Sequence, residues 1–447
     1  MERTLVIETP KKVGEKVKLQ GWVNSVRDHG KITFVDLRDR SGILQCVETR
    51  SASLRAKLNS EDVIEIIGTV ADRPEKLINK EIETGKVELQ IEEVKVLAKS
   101  AELPIDMGKE ELDVELPTLL DWRSLTLRHP KVRSIFRVQA KIAEGFRKAA
   151  TELGCIELFV PTISASATEG GAEVFRVKYY DYEAYMTQSP QLYKQMLVPV
   201  FERVFTIAKA YRAEPSVTTR HLSEATQMDC ELAFVNFEEL MDSLEFVGTS
   251  ALKYAESECG DVMKIFGVPK LKIPKRIPRL KMREAQEIIY KRTGADHRKE
   301  RDLEPEDERE ICKWALEEHD SDLVTITHYP TKKRSFYTAP DPKDPEFSLS
   351  YDLLFRGVEI LSGSQRINNY DELVNEIKER GMNPANFEMY LQAFKFGMPP
   401  EGGFSFGLER LTMKLLELAN VREASLFPRD MERVDIRLST LRPEKTK

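Results

Sequence analysis

The sequence predicts an α+β chain: a small five-stranded β-barrel at the N-terminus and, behind a linker, a larger region in which amphipathic helices alternate with strand hairpins. Three observations carry this. Five short strand-like runs fill the first hundred residues, punctuated by Gly21, Gly30, Gly42, Gly68 and Gly85. Apolar residues then take up helical spacing from Ile135 to Leu153. Finally, two strand-like runs, Val204–Ala208 and Met228–Phe234, flank the charged segment YRAEPSVTTRHLSEATQ, which places those charges on a hairpin.

The five runs are Val17–Val26, Ile32–Leu37, Ile43–Val47, Val63–Val70 and Val87–Leu97, and their spacing fits an OB-fold over residues 1–100. Residues 101–130 carry Pro104, Pro117 and the acidic stretch Glu110–Glu115, and read as a linker or hinge. Residues 131–447 form the main domain. Its first helix ends at Gly154, a C-terminal cap, and the strand Cys155–Val160 is stopped by Pro161. Residues 254–348 are charged, proline-bearing and helix-like, and read as an insertion packed on the core. Within it, the basic run from Lys270 to Arg283 reads as a solvated face.

Composition narrows the function classes. The chain has 447 residues, 41% hydrophobic and 32% charged, enough for two or three domains with real cores. A net charge of −7 argues against a generally polybasic nucleic-acid binder, so any polyanion must be met by local patches. The five cysteines form no C-x-x-C pair, which suggests neither a disulfide framework nor a zinc cluster and fits a reducing cytoplasm. No signal-like or membrane-spanning apolar run is present, so a soluble, cytoplasmic protein without membrane contact is expected.

Four further segments gather chemistry. ATEGGAEVF (167–175) is a glycine-rich acidic loop able to move over a ligand. QSPQLYKQ (188–195) starts a helix with Ser189 as N-cap, which puts Gln191 and Lys194 on one face. YDLLFRGVEILSGSQR (351–366) places Asp352, Glu359, Ser362 and Arg366 on strands. GGFSFGLERLTMKLLEL (402–418) runs from a strand into a helix with Arg410 at the junction. Fixed guanidiniums, an amine and grouped acids suit phosphoryl or nucleotidyl chemistry, in which catalysis is largely positioning and charge neutralisation. Neither a Walker-type loop nor G-x-G-x-x-G is present, so ATP would have to lie on a sheet gripped by arginines.

These residues resemble the class IIb aminoacyl-tRNA synthetases, most closely their aspartyl branch of compact archaeal-like type, over nearly the whole chain. Tyr211-Arg-Ala-Glu with Thr219-Arg-His-Leu222 resembles motif 2, Gly407-Leu-Glu-Arg410 resembles motif 3, and the helix and strand ending at Pro161 resemble motif 1, the dimer element. The resemblance implies an antiparallel catalytic sheet flanked by helices, a homodimer, ATP and L-aspartate as substrates, Mg2+ as cofactor, and tRNA(Asp) as partner, with tRNA(Asn) as a further acceptor left open.

The resemblance also implies roles. Arg212 neutralises the α-phosphate and Glu214 meets the adenine. Arg220, His221 and Leu222 lie along ATP, as do Gly407, Leu408, Glu409 and Arg410. Arg212, Arg410 and Glu359 make the catalytic set. Glu359 and Ser362, with Asp352, hold the metal. Lys194 and Arg366 clamp the aspartate side chain; buried without an anionic partner they would bear a large desolvation cost, which disfavours asparagine. Ser189, Gln191, Asp229, Ser362 and Arg212 orient that substrate and Glu169 closes over it. On the barrel, Arg27, Phe34 and Gln45 meet the anticodon, Phe34 by stacking.

Taken singly, most of these residues have ordinary structural explanations; their order and spacing over some 240 residues favour the functional ones. Glu359 and Ser362 lie three apart, on opposite faces of an ideal strand, so a shared metal requires a bulge, with Gly363 the candidate. Pro215, Val217, Glu401, Asn368 and Asn369 depart from the family pattern. An asparaginyl enzyme is disfavoured by Lys194, and an RNA-binding paralogue without catalysis by the complete set of Arg212, Glu359, Ser362, Arg366 and Arg410.

Overall fold

The computed structural model describes every residue except 31, 49–57, 110, 166–172, 216–217 and 441–447. The chain divides into two units, Met1–Asp113 and Val114–Lys447. In the first, alternation of apolar and polar residues gives β1 (Lys16–Asp28), β2 (Thr33–Arg38), β3 (Ile43–Glu48), β4 (Val63–Asp72) and β5 (Val87–Ala98). They close into a barrel in the order β1-β2-β3-β5-β4. Closure comes from a parallel pairing of β3 with β5, Cys46 facing Leu89. Leu19, Val35, Leu44, Ile64 and Leu89 fill the interior. The five expected strands are all present.

The second unit contributes β6 (Ile156–Glu157), β7 (Ile163–Ser164), β8 (Arg176–Tyr179) and β9 (Tyr182–Met186), then the hairpin β10 (Arg203–Tyr211) and β11 (Glu224–Ala233). After these come β12 (Arg279–Lys281), β13 (Leu323–Thr327), β14 (Pro340–Asp341), β15 (Asp344–Ser348), β16 (Ser350–Phe355), β17 (Val358–Gln365) and β18 (Glu401–Gly407). The main sheet has eight strands in the order β12-β13-β16-β17-β18-β11-β10-β6, with β7-β9-β8 and β14-β15 as small separate sheets. Its six central strands are antiparallel; both edges, β12 on β13 and β6 on β10, are parallel.

Helix Pro130–Glu152 starts on its proline, and Gly154 follows its end at φ +81°, the left-handed conformation a C-terminal cap requires. It buries Val138, Ile142 and Phe146 among Phe205, Cys230, Phe404 and Phe406 of the sheet, with Leu244 and Val247 of helix Phe237–Glu258 in the same cluster. One face of the sheet is thereby sealed. The other is left for the site.

Two expected boundaries shift. The linker does not run to residue 130, because helices form at Leu116–Asp121 and Arg123–Thr126 and the buried Arg123 guanidinium donates to the carbonyls of Glu423, Ser425 and Leu426. Nor is 254–348 only an insertion packed on the core, since it supplies β12 and β13 to the main sheet. Arg279 in its basic run meets Glu238, Asp242 and Glu245, as a structural ion-pair face would. Among the described residues, no helix is long and apolar enough to cross a membrane.

The required bulge exists, but elsewhere. On β17, Leu361 faces Leu353 while Glu359 faces Leu354, which leaves Ile360 as the extra residue. Ile360 and Leu361 both enter the core, so Glu359 and Ser362 are left on the opposite face. Gly363 has a different reason: a Cβ there would lie 2.5 Å from the Gly403 carbonyl and 2.5 Å from the Tyr351 ring. Gly363→Ala should therefore cost about 1–3 kcal/mol through overpacking. Chemical denaturation measures it, and a midpoint equal to wild type would contradict the close approach.

Candidate active site

The hairpin, β16–β18 and the helix Gln191–Phe201 surround a cavity of about 170 Å³. Ser189 is not quite where a helix cap was expected, since the helix begins at Gln191 with Pro190 before it; the Ser189 hydroxyl still accepts from the Gln191 N–H at 3.2 Å. That start turns Gln191 and Lys194 inward, at 5% and 1% exposure.

Beneath the cavity lies a dry charge cluster. Lys194 Nζ sits 2.8 Å from Asp229 and 3.2 Å from Glu231, and Arg366 Nε donates to Glu231 at 2.7 Å. Gln191 bridges the two sides, donating to Glu231 at 3.3 Å and accepting from Arg366 at 3.2 Å. The two cations meet on one carboxylate. Burial works against the charge on Glu231, but Arg366 and Lys194 overcome it and hold this carboxyl at about 2. Burial also opposes the Lys194 charge, yet Asp229 and Glu231 raise its pKa. Asp229 is itself raised, because burial outweighs Lys194 and Glu231 repels it. The pair shifts unequally because Lys194 has two anionic partners and Asp229 one cation. Ser405 donates to Asp229 at 2.5 Å.

This corrects the expectation that the two cations lack anionic partners. It also moves Lys194 out of the cavity wall: Arg366 and Asp229 line the cavity, whereas Lys194 supports them from below. Arg334, which the sequence did not single out, lines it too. It reaches Asp352 at 2.7 Å and Ser362 at 3.1 Å and lies 3.9 Å over the Tyr329 ring. In the sequence it is one cation among Lys332, Lys333 and Arg334, and nothing in that run distinguishes a buried guanidinium from solvated ones. Gln227, Ser364 and Ser405 were also missed as lining residues; single neutral polar residues on neighbouring strands carry no separate signal.

Arg212 lines the mouth, exposed, and no ion pair joins it to a described carboxylate. Beyond it the hairpin loop and the helix Leu408–Leu415 bring the remaining groups together. Arg410 donates to the carbonyls of Arg220 and Glu359 at 3.3 Å and stands 3.7 Å from the Glu359 carboxylate. His221, 2.5 Å from the Thr218 hydroxyl, is lowered by burial and then by Arg410 and Arg220, which favours its neutral form. Arg220 is paired with Glu308 of helix Pro305–His319 at 2.5 Å. Three of the residues expected along ATP have side chains engaged within the fold. Leu222 packs with Val358, Met413 and Val421, Leu408 joins the main core, and the Glu409 carboxylate accepts from the Thr226 N–H at 2.9 Å. Glu214 is exposed on the loop, Gly407 ends β18, and Glu169 lies outside the described residues.

Among the described residues, no three His, Cys, Asp or Glu side chains gather as a complete metal site. The acids present nevertheless suit a divalent cation whose other ligands are phosphate and water. Burial and then the Asp352 charge push Glu359 up to about 7, and Asp352 Oδ1 is buried without a donor. Glu359 and Ser362 share a face by virtue of the Ile360 bulge.

On the barrel, β1 and β2 bring Arg27 opposite Phe34, and β3 places Gln45 opposite Asp36. Arg27 grips Asp36 through both terminal nitrogens and reaches Gln45 at 3.3 Å, while Gln45 donates to Glu88 at 3.0 Å. Phe34 is half-buried, with the His29 ring edge-on at 5.6 Å.

Comparison with known proteins places this geometry in a family. Residues 115–431 match the model for "tRNA synthetases class II (D, K and N)", and residues 17–97 match "OB-fold nucleic acid binding domain". The aspartate–tRNA(Asp/Asn) ligase of Thermus thermophilus is 41% identical over 97% of this chain and 99% of its own. The aspartate–tRNA(Asp) ligase of Pyrococcus abyssi is 41% identical over 94% and 96%. The crystal structure of asparaginyl-tRNA synthetase from Pyrococcus horikoshii complexed with asparaginyl-adenylate superposes with a TM-score of 0.89 at 31% identity, covering 97% of this chain and 99% of that one.

The Arg220–Glu308 pair must open if Arg220 is to meet a polyphosphate. Glu308→Gln should therefore tighten ATP binding about threefold, the scale of a partly exposed ion pair. Calorimetric titration reads this; weaker binding would mean that Glu308 holds Arg220 in its working position.

Proposed function

The chain belongs to the class II tRNA synthetases of the D, K and N group, and we propose that it is an aspartate–tRNA ligase, activating L-aspartate with ATP and transferring it to tRNA(Asp). One observation carries the choice of amino acid: among the described residues, three guanidiniums, Arg212, Arg334 and Arg366, line the cavity beside a single carboxylate, Asp229. Lysine would be repelled there. Asparagine would bring an amide where the excess positive charge calls for an anion. Aspartate offers carboxylates to guanidiniums that the protein's own acids, Glu231 on Arg366 and Asp352 on Arg334, do not saturate, and one ammonium to Asp229.

In the first half-reaction a carboxylate oxygen of aspartate attacks the α-phosphorus of ATP, and the bond to pyrophosphate breaks. Arg212 neutralises the charge that develops on the α-phosphate, where a planar fork suits two oxygens at once. Arg410 and neutral His221 flank the nucleotide, and Arg220 meets the terminal phosphates once released from Glu308. Glu359 and Ser362, with Asp352 beside them, would hold Mg2+, which supplies charge neutralisation of the phosphate oxygens. Lys194 keeps Asp229 and Glu231 ionised, and so keeps Arg366 fixed. In the second half-reaction the terminal ribose hydroxyl of tRNA attacks the aspartyl carbonyl, and AMP leaves. Arg27, Phe34 and Gln45 form the anticodon contact, Phe34 as the stacking face. We place the reaction in the cytoplasm, where the five buried thiols stay reduced.

We also propose a homodimer. Phe159, Val200, Phe234 and Phe396 are 88%, 65%, 67% and 81% exposed. Main-chain bonds from Ala233 to Glu202 and from Phe234 to Pro400 draw the segments carrying the last three together. Exposed apolar side chains of this kind fit a second copy of the chain.

Pyrophosphate exchange tests the activity: aspartate should support it, asparagine and lysine should not, and exchange with asparagine alone would reverse the assignment. Charging of purified tRNA(Asp) and tRNA(Asn) then defines the acceptor. Lys194→Met, which leaves two buried carboxylates with one cation, should cost about 3–5 kcal/mol in aspartate-dependent exchange or in folding; near-normal rates would remove Lys194 from its role. Phe159→Glu should shift the sedimentation coefficient from dimer to monomer, and an unchanged value would move the interface elsewhere.

A further inference from the structure

Glu401, which departs from the family pattern, opens β18 and is fully buried at 0% exposure. Its main-chain carbonyl accepts from the Arg366 N–H at 3.0 Å and from Gln365 Nε2 at 3.3 Å. Its Oε1 accepts from Gln195 at 2.7 Å, while Oε2 has no donor. On the neighbouring strand Ala233 is its register partner and Gly403 is that of Glu231. Glu401 and Glu231 are thus diagonal neighbours on one face, within reach of each other.

The groups around Glu401 come from every packed element: Glu231 on β11, Arg366 after β17, Gln195 from helix Gln191–Phe201, and Tyr390 from helix Glu388–Lys395, whose hydroxyl donates to Gln195 at 3.0 Å. Tyr337 lies under the Arg366 guanidinium, 5.2 Å from its ring centre, and Lys194 holds the far side of Glu231. Two acids facing each other in a dry floor cannot both be charged. Glu231 is the ionised one, bound to two cations, so the proton falls to Glu401. Burial and the Glu231 charge hold the Glu401 carboxyl well above the usual range. A protonated Oε2 is itself a donor, which accounts for an oxygen with none directed at it.

We propose that Glu401 is a positioning residue for amino-acid selection: as a neutral acid it donates to Glu231 and so fixes Arg366 where the substrate carboxylate arrives. The inference rests on the aspartate reading above. Its consequence has a definite sign. The neutral form persists up to the raised pKa and is lost as pH climbs through it. Beyond that point a third negative charge faces two cations, Glu231 is pushed off Arg366, and aspartate binding weakens.

The test is aspartate-dependent pyrophosphate exchange by the full chain, wild type, Glu401→Gln and Glu401→Ala, from pH 6 to 9, with the KM for ATP measured alongside. Wild type should show a KM for aspartate that rises at alkaline pH. Glu401→Ala should raise that KM about tenfold already at pH 7, the size of one lost buried hydrogen bond to a charged group. Glu401→Gln keeps both a donor for Glu231 and an acceptor for Gln195, and should restore the KM to within about threefold and abolish the alkaline rise. In both variants the KM for ATP should hold. If Glu401→Ala fails to fold, the comparison of wild type with the glutamine variant still decides. Parallel pH profiles for those two overturn the proposal, as does an equal rise in both KM values. Absence of aspartate exchange by wild type would overturn the aspartate reading itself.

Discussion

The bridging of Lys194 and Arg366 by the Glu231 carboxylate is the constraint on which the site depends. Three elements meet there: the helix that starts at Gln191, β11, and the end of β17. A buried ion pair is weak evidence for stability, since desolvation offsets most of the Coulombic gain, but removing one partner is costly. What the cluster secures is registry. Slip of β11 against β18 by one residue would turn Glu231 to the other face and leave both cations unpartnered. The glycine opposite follows from it. A Cβ on Gly403 would lie 2.1 Å from Glu231 Oε2, so the strand facing the carboxylate must be bare.

From that floor the division of labour follows. Arg366 is held by Glu231, Ser364 and Gln191, and cannot search for its ligand. Arg212 stands exposed on the hairpin loop, where a long side chain can follow a nucleotide in. In the proposed reaction, rigid groups choose the amino acid and adaptable ones receive the phosphates. The Ile360 bulge adds the third component, because it turns Glu359 and Ser362 to one face without interrupting the core layer of Ile360 and Leu361.

Much of this was legible in the sequence where a period repeats. The barrel strands, the hairpin and the helix Pro130–Glu152 each carry a pattern of 2 or 3.6 residues over many positions. β12 and β13 were not, because three and five residues inside a charged, proline-bearing stretch offer too few repeats to outweigh their surroundings. Lys194 was read as a clamp on the aspartate side chain, and the fold buries it beneath the cavity: Asp229 and Glu231 lie two residues apart on β11, which told which face they share and not which cation stands behind it. The direction of Glu409 was also not legible. Next to Arg410 in the sequence, it turns to the β11 backbone, since adjacent helix positions point about 100° apart.

Pairing of the cations also follows depth. Lys194, with its side chain 1% exposed, has two carboxylates. Arg366, at 6%, has one carboxylate and two neutral acceptors. Arg334, at 18%, has Asp352 and Ser362, and Arg410, at 25%, has a carboxylate only at 3.7 Å. Arg212, exposed, has no ion pair among the described residues. The order is what solvation demands, because water can stabilise a charge at the mouth but not on the floor. It follows that the positive charge available to a ligand increases towards the opening, so an anion is drawn inward along groups that lose least by changing partners, until it reaches an arginine that does not move.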